Sequence, residues 1–247
     1  MNDIKERQEK KMQAIIMAAG VGSRLGDLTK DRPKAFLEIN GKKLIEYNLD
    51  ILRSLGVDDS IIVTGYMCEK FEELTKDMPG VKCVFNPFYE MVNVLGSFYI
   101  GQEYLKNDDF IYLHADTLAD PEIFERMISA EGDIVMPVDF KECDEEAMKV
   151  TTENSKVTEV SKLIALDKAE GEFIGICKIK KEVIPDLKEA SKMLLKEKEF
   201  KSYFEAAIQE IIDQEKFSAV SIPTENSFWC EVDFLEDYDR AKSNISF

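Results

Sequence analysis

The chain has 247 residues, 45% of them hydrophobic, and a formal net charge of −17. That length suits one large α/β domain with a full core or at most two small ones, and the apolar content excludes a disordered chain. The acidic balance argues against nonspecific binding to nucleic acid or an anionic membrane, and no apolar run approaches the roughly 20 residues of a bilayer span.

The opening MNDIKERQEKKM is too charged for a signal peptide and reads as an N-terminal extension, residues 1–12, ahead of a single domain over 13–247. Gln13 to Met17 (QAIIM) is a short apolar run ending in small residues, the pattern of a buried parallel strand. A long polar loop follows. Then KKLIEYNLDILRSLG repeats Leu44, Ile45, Leu49, Leu52 and Leu55 near helical spacing, with Gly56 where a C-cap belongs. SIIVTGY reads as a second strand, KFEELTKDM as a short helix and VKCVFN as a third strand. NVLGSFYIGQEYL predicts a helix capped by Asn93, DFIYLHAD a fourth strand, PEIFERMIS a helix with Pro121 in its first turn, and GDIVMPV a fifth strand.

This alternation predicts an α/β fold: a Rossmann-like open, mostly parallel sheet with right-handed crossovers. Beyond residue 138 the rhythm changes. AMKVTTENSKVTEVSK predicts a hairpin turning at Glu153–Ser155, and GEFIGICKIK one further strand. Helices are expected near 181–194 and 201–213, late strands in KFSAVSIP and FWCEVD, and a closing helix in FLEDYDRAK. One domain with a small antiparallel insertion accommodates all of these. The five cysteines (Cys68, Cys83, Cys143, Cys177, Cys230) are scattered, odd in number and without CxxC spacing, which predicts reduced, buried thiols in a cytoplasmic protein.

The chemistry begins in the loop AAGVGSRLGDLTKDRPK after the first strand. Open α/β sheets bind ligands at the carboxyl ends of their strands. Gly20 and Gly22 let backbone N–H groups approach phosphate oxygens, while Arg24 and Lys34 add charge-assisted donors suited to a polyphosphate. A dinucleotide G-x-G-x-x-G would need glycine at Leu25, and no Gly-Lys-Ser/Thr completes a P-loop. The bland alternative is a surface loop with incidental basic residues.

The pattern AAG-x-GSRL followed by RPK resembles the nucleotidyltransferases that join a nucleoside triphosphate to a phosphorylated small molecule. The resemblance continues through EINGKKLIEYNLDIL, VTGY, NPFYEMVNVLGSFY, FIYLHAD, GEFIGI and CEVDFLEDY, and so touches most of the chain. It is strongest to the small cytidylyltransferases that act on phosphocholine or 2-aminoethylphosphonate. It implies the sheet of the nucleotide-diphospho-sugar transferases and a set of roles. Ala18, Ala19 and Gly20 would line the base and ribose, with Gly65 and Tyr66 near the base. Gly22, Ser23 and Arg24 would wrap the phosphates, and Lys34 would meet the α-phosphate or the incoming nucleophile. Asn93 and Ser97 would stand near nucleotide or acceptor, and Lys162 would hold the acceptor phosphate. One departure is Val94, where relatives acting on phosphocholine carry a second Asn.

Asp116 and Asp233 each end an apolar run, where parallel strands deliver side chains to one rim. Singly, each reads as a strand-end turn residue. Together, with phosphates and water, two carboxylates suit Mg²⁺, and both match the two metal-binding aspartates of the resembled family. The single histidine, His114, makes a histidine-rich metal site or histidine catalysis improbable and reads as structural. For the acceptor, Glu172, Trp229 and Glu231 offer carboxylates and an aromatic face to a cationic group.

The expectation is therefore a Mg²⁺-dependent cytidylyltransferase using CTP and a small phosphorylated or phosphonate acceptor and releasing pyrophosphate. Neither nucleic acid nor membrane is a partner in this reading, and a homodimer is left open. A sugar-1-phosphate nucleotidyltransferase using another triphosphate is the alternative within the class. A noncatalytic nucleotide-binding regulator is the alternative outside it.

Overall fold

The computed structural model of the chain describes residues 11–245. Its strands are β1 (Met12–Ala18), β2 (Glu38–Ile39), β3 (Lys42–Lys43), β4 (Asp59–Thr64), β5 (Val81–Phe85), β6 (Asp109–His114), β7 (Thr117–Ala119), β8 (Ile134–Asp139), β9 (Lys149–Glu153), β10 (Lys156–Ser161), β11 (Gly171–Phe173), β12 (Ile176–Ile179), β13 (Ala219–Pro223) and β14 (Trp229–Glu231). The α-helices are α1 (Leu44–Ser54), α2 (Cys68–Thr75), α3 (Val94–Gly101), α4 (Pro121–Ser129), α5 (Ile184–Lys196), α6 (Phe204–Asp213) and α7 (Leu235–Asn244). Most of the expected N-terminal extension, residues 1–10, lies outside the described residues; Met12 already belongs to β1.

A ten-stranded sheet runs in the order β11-β9-β10-β13-β8-β12-β6-β1-β4-β5. From β6 through β1 and β4 to β5 every pairing is parallel, with Ile15 of β1 opposite both Ile61 and Tyr112. β13 joins β8 in parallel too, β12 runs antiparallel between β6 and β8, and β9, β10 and β11 form the antiparallel insertion. The expected α/β class is met.

β1 is apolar on both faces because both are covered. Ala14, Ile16 and Ala18 face one layer with Leu44 and Leu52 of α1, Phe71 of α2 and Phe124 of α4. Ile15 and Met17 face the other with Phe98 of α3, Leu187 of α5 and Phe204 and Ile208 of α6. Each fully buried Ile or Leu stabilises the fold by ~1.5–3 kcal/mol, so the two layers fix where the strand ends emerge. Among the described residues, no helix is long and apolar enough to cross a membrane.

Two local expectations need correction, and one is met. GEFIGICKIK is two strands rather than one. Gly175 has φ 76, and a Cβ there would lie 3.0 Å from His114 Nδ1, so the backbone turns and sends β11 to β9 and β12 to β6. The hairpin turns at Asn154 and Ser155, both left-handed (φ 52 and 66), within the expected Glu153–Ser155 stretch. All five cysteines are free, but only Cys177 and Cys230 are buried; Cys68, Cys83 and Cys143 are half-buried, Cys83 because β5 is the edge of the sheet. The ladders β2–β3 and β7–β14 are too short to show periodicity in sequence.

Candidate active site

β1 ends at Ala18, and the chain enters the glycine-rich loop over the carboxyl edge of the parallel strands. Gly22 adopts φ 68, and its carbonyl accepts from the Thr29 hydroxyl at 2.9 Å, closing the 3-10 turn Ser23–Thr29. Buried Leu25 and Phe36 anchor the loop, leaving Arg24 and Lys34 at its rim. A Cβ at Gly22 would come within 2.9 Å of Lys34 Cβ, so this glycine makes room for the stem of the lysine. Gly65 and Tyr66 brace the loop from β4. The Tyr66 amide donates to Ala19 O at 3.2 Å, its hydroxyl donates to Lys30 O at 3.2 Å, and a Cβ at Gly65 would lie 2.6 Å from Ala19 O. Their role in this structure is to shape the loop; neither lines the clefts described below.

Charge converges where three segments meet. Lys34 Nζ lies 2.6 Å from Asp116 Oδ2 and also bonds Asp233 Oδ1. Arg24 reaches Asp233 Oδ2 at 3.4 Å. The Val232 amide donates to Asp116 O at 3.0 Å, which ties the two aspartate-bearing segments together. Asp237 accepts from the amides of Asp233 (3.2 Å) and Phe234 (2.9 Å), capping α7 and fixing the loop that carries Asp233. Burial opposes the charge on Lys34, but Asp116, Asp233 and Glu231 outweigh it and hold the ammonium well above its ordinary pKa. Burial would raise Asp116, yet Lys34 and His114 outweigh it, so this carboxyl is lowered. Two carboxylates aimed at a single cationic atom offer oxygen donors of the kind that Mg²⁺ takes. Asp116 and Asp233 would hold it.

His114, read as structural, is built into the same wall. Its Nε2 is 2.8 Å from the Tyr112 hydroxyl and its Nδ1 is 3.5 Å from Glu231 Oε1. Burial works against the imidazolium, but Glu231 outweighs it and the pKa is pushed up to about 9. His114, Asp116 and Glu231 bring one ligand atom each within 4.8 Å of one another, an arrangement that omits Asp233. Both nitrogens of His114 already face protein partners, which leaves the aspartate pair the better-suited donor set.

Three connected clefts open on this centre. One of about 240 Å³ is lined by Ala18, Gly20, Gly22, Ser23, Arg24, Lys34, Asp116 and Asp233. A second, of about 260 Å³, is lined by Ala19, Gly20, Asn93, Ser97, Asp116 and Glu231. Asn93 caps α3, accepting from the Val94 amide at 2.8 Å, and Ser97 accepts from Asn86 Nδ2 at 3.0 Å. The third and largest, about 390 Å³, contains Arg24, Lys162, Glu172, Trp229, Glu231 and Asp233. Every residue expected at the site except Gly65 and Tyr66 therefore lines one of the three.

Internal ion pairs fill the largest cleft. The Glu146 carboxylate lies 3.6 Å from Arg24 and 3.7 Å from Lys162, so two cations share one anion. Lys162 Nζ also stands 5.0 Å from the centre of the Tyr203 ring. Lys141 bonds Glu172 at 2.9 Å and Asp139 at 3.0 Å and lies 4.7 Å from the centre of the Trp229 ring. Trp229 Nε1 donates to Asp139 Oδ2 at 3.0 Å.

The MobA-like NTP transferase domain family matches residues 14–198. The chain belongs to this family. The chain is 27% identical over 252 aligned positions to CTP:phosphoglutamine cytidylyltransferase of Campylobacter jejuni, covering 92% of this chain and 98% of that protein. It is 45% identical over 96 residues to choline-phosphate cytidylyltransferase of Streptococcus pneumoniae, covering 39% of this chain and 42% of that one. Among solved structures, the CTP:phosphocholine cytidylyltransferase of Streptococcus pneumoniae superposes with a TM-score of 0.77 at 25% identity, covering 94% of this chain and 98% of that one.

Sequence reasoning missed much of the lining of the third cleft, including Lys141, Glu146, Tyr203 and Glu205. It also missed Lys149, which is 2% exposed and donates to the carbonyls of Glu145 (3.2 Å), Ala147 (3.4 Å) and Lys162 (2.7 Å). Lys149 thereby holds the segment bearing Glu146 beside Lys162. None of these carries a motif. The available signal was a charged residue inside an otherwise apolar pattern, namely Lys149 before Val150 and Glu205 within FEAAI.

Proposed function

We propose that the chain transfers CMP from CTP to a small phosphorylated or phosphonate acceptor with Mg²⁺ and releases pyrophosphate. An acceptor oxygen attacks the α-phosphorus, the bond from that phosphorus to the bridging oxygen of the β-phosphate breaks, and pyrophosphate leaves with the electron pair. The work is alignment and neutralisation of charge; no covalent enzyme intermediate is required. The observation that carries the reading is the meeting of Lys34, Asp116, Asp233 and Arg24 beneath a glycine loop that opens from the end of β1. Full-length similarity to a CTP-dependent relative supports CTP over other triphosphates.

Bound Mg²⁺ would withdraw charge from the α-phosphate. The loop amides around Gly20 and Gly22, with Ser23 and Arg24, receive the polyphosphate. Lys34 would turn from the aspartates to the transferring phosphate, and Asp116 and Asp233 would hold the metal. Lys162 receives the acceptor phosphate once Glu146 moves aside.

The test is pyrophosphate release with Mg²⁺, crossing the four common nucleoside triphosphates with phosphocholine, 2-aminoethylphosphonate, phosphoglutamine, glycerol phosphate and glucose 1-phosphate. Release with CTP and an amine-bearing acceptor is expected. Release with glucose 1-phosphate instead moves the chain to the sugar-phosphate enzymes. Tight nucleotide binding without release in any combination favours the regulatory reading.

A further inference from the structure

Phosphate chemistry calls for cations, yet the floor of the largest cleft holds a buried acid. Glu205, at the start of α6, is 2% exposed and lines this cleft with His114 and Glu231. Its Oε2 has no hydrogen-bond partner among the described residues. A buried carboxylate oxygen without a donor destabilises the fold until something with an N–H or O–H meets it. Cations elsewhere in the cleft are already committed: Lys141 to Glu172 and Asp139, and Lys162 and Arg24 to Glu146.

Trp229 bears on the kind of ligand. A quaternary ammonium is held mainly by aromatic faces. Here the Trp229 face is taken by Lys141 at 4.7 Å, and the indole N–H is bonded to Asp139. A trimethylammonium would find that ring occupied and would bring no N–H to Glu205. A primary ammonium carries three donors and needs no aromatic cage. The cleft that contains Glu205 also contains Arg24 and Lys162, so one short molecule can present a phosphate at one end and an ammonium at the other.

We propose that the acceptor carries a primary ammonium group opposite its phosphate or phosphonate, and that Glu205, with Glu231, receives it through N–H hydrogen bonds. This rests on the CMP-transfer reading and narrows its acceptor. Burial pushes the Glu205 carboxyl up from its usual range against the opposing charge of His114, which gives Oε2 no hydrogen bond.

The test is a methylation series. Phosphoethanolamine, its N-methyl and N,N-dimethyl derivatives and phosphocholine are titrated calorimetrically into enzyme loaded with Mg²⁺ and α,β-methylene CTP, which cannot turn over. Affinity is expected to fall along the series by at least about tenfold, with the loss of the last N–H from the ammonium. In Glu205→Gln the series should flatten while analogue affinity and melting temperature hold. The wild-type series decides the matter even if that variant does not fold. Phosphocholine binding as tightly as phosphoethanolamine, no acceptor binding at all to the loaded enzyme, or an unchanged slope in Glu205→Gln overturns the inference. Failure of the CTP analogue to bind overturns the CMP-transfer reading beneath it.

Discussion

The side of the centre proposed for the nucleotide is assembled from residues 17–35, 115–116 and Asp233: the ends of β1 and β6, the loop that follows β1, and the segment after β14. The side proposed for the acceptor draws on residues 141–148, 162, 172–175, 203–205 and 229–240, which reach the cleft from antiparallel strands, helix starts and loops. Neighbouring parallel strands must end on one rim, so the residues at β1 and β6 are placed by topology, whereas Asp233, expected on that rim, instead arrives from the antiparallel ladder β7–β14. Nothing comparable places the second set. Its members are held by ion pairs between distant segments, such as Lys141 with Glu172 and Glu146 with both Arg24 and Lys162. The difference teaches that the chemical step and the acceptor choice are separable: one is built into the strand ends, the other into contacts that a few substitutions would rewrite.

Four substitutions probe that separation. Asp116→Ala and Asp233→Ala remove a carboxylate from the strand-end centre and should lower turnover by about 10²–10³ or more, with the fold intact by circular dichroism. Near-normal rates in both at limiting Mg²⁺ would sink the metal assignment. Lys34→Ala should lose at least about tenfold in rate, equivalent to ~1.4 kcal/mol in the barrier. It also leaves Asp116 and Asp233 facing each other without their ammonium, so its melting temperature should rise more with added Mg²⁺ than that of the parent. A rate equal to that of the parent refutes the role at the phosphates.

On the acceptor side the effects are smaller. Glu146→Ala frees Arg24 and Lys162 from an internal anion. Because exposed ion pairs are worth ~0.2–1 kcal/mol, the acceptor KM should fall by about two- to fivefold with kcat unchanged. A KM that stays or rises means that Glu146 does not compete with the acceptor.

The smallest effect is expected away from both sides, at Asp133. The Ser218 amide (2.8 Å) and hydroxyl (2.9 Å) donate to this carboxylate, as does Lys180 at 3.1 Å. The Ser218 amide is the leading cause of a lowered carboxyl pKa, and burial opposes it. A depressed folded value means that the stabilisation is fully present above the unfolded pKa of ~3.9 and disappears as pH falls through the folded one. Asp133→Asn should thus lower the melting temperature by about 2–4 °C at neutral pH and by less in acid, with catalysis untouched. A difference independent of pH would show that the carboxylate charge is not what stabilises this turn.

Much of the nucleotide side was legible in the residues. The AAG-x-GSRL and RPK strings, the strand-terminal Asp116 and Asp233, and the alternation of apolar strands with amphipathic helices all carry local signals. Gly65 and Tyr66 show the limit of such signals: adjacent to the right strand end, they brace Ala19 and Lys30 and line none of the clefts. The acceptor side was legible only in part. Lys162, Glu172, Trp229 and Glu231 do reach its cleft, but Trp229 is engaged with Lys141 and Asp139, a contact between residues too distant in sequence to read.

The succession of strands and helices along the chain, the burial of β1 and the position of the glycine-rich loop follow from hydrophobic period and glycine placement, which act over a few residues at a time. The pairing of Lys34 with two aspartates from separate segments, the division of the 171–180 segment at Gly175 and the burial of Glu205 beneath the acceptor cleft were decided only in three dimensions. Electrostatic partnership depends on distance through space, and that distance exists only once the sheet has brought remote segments together.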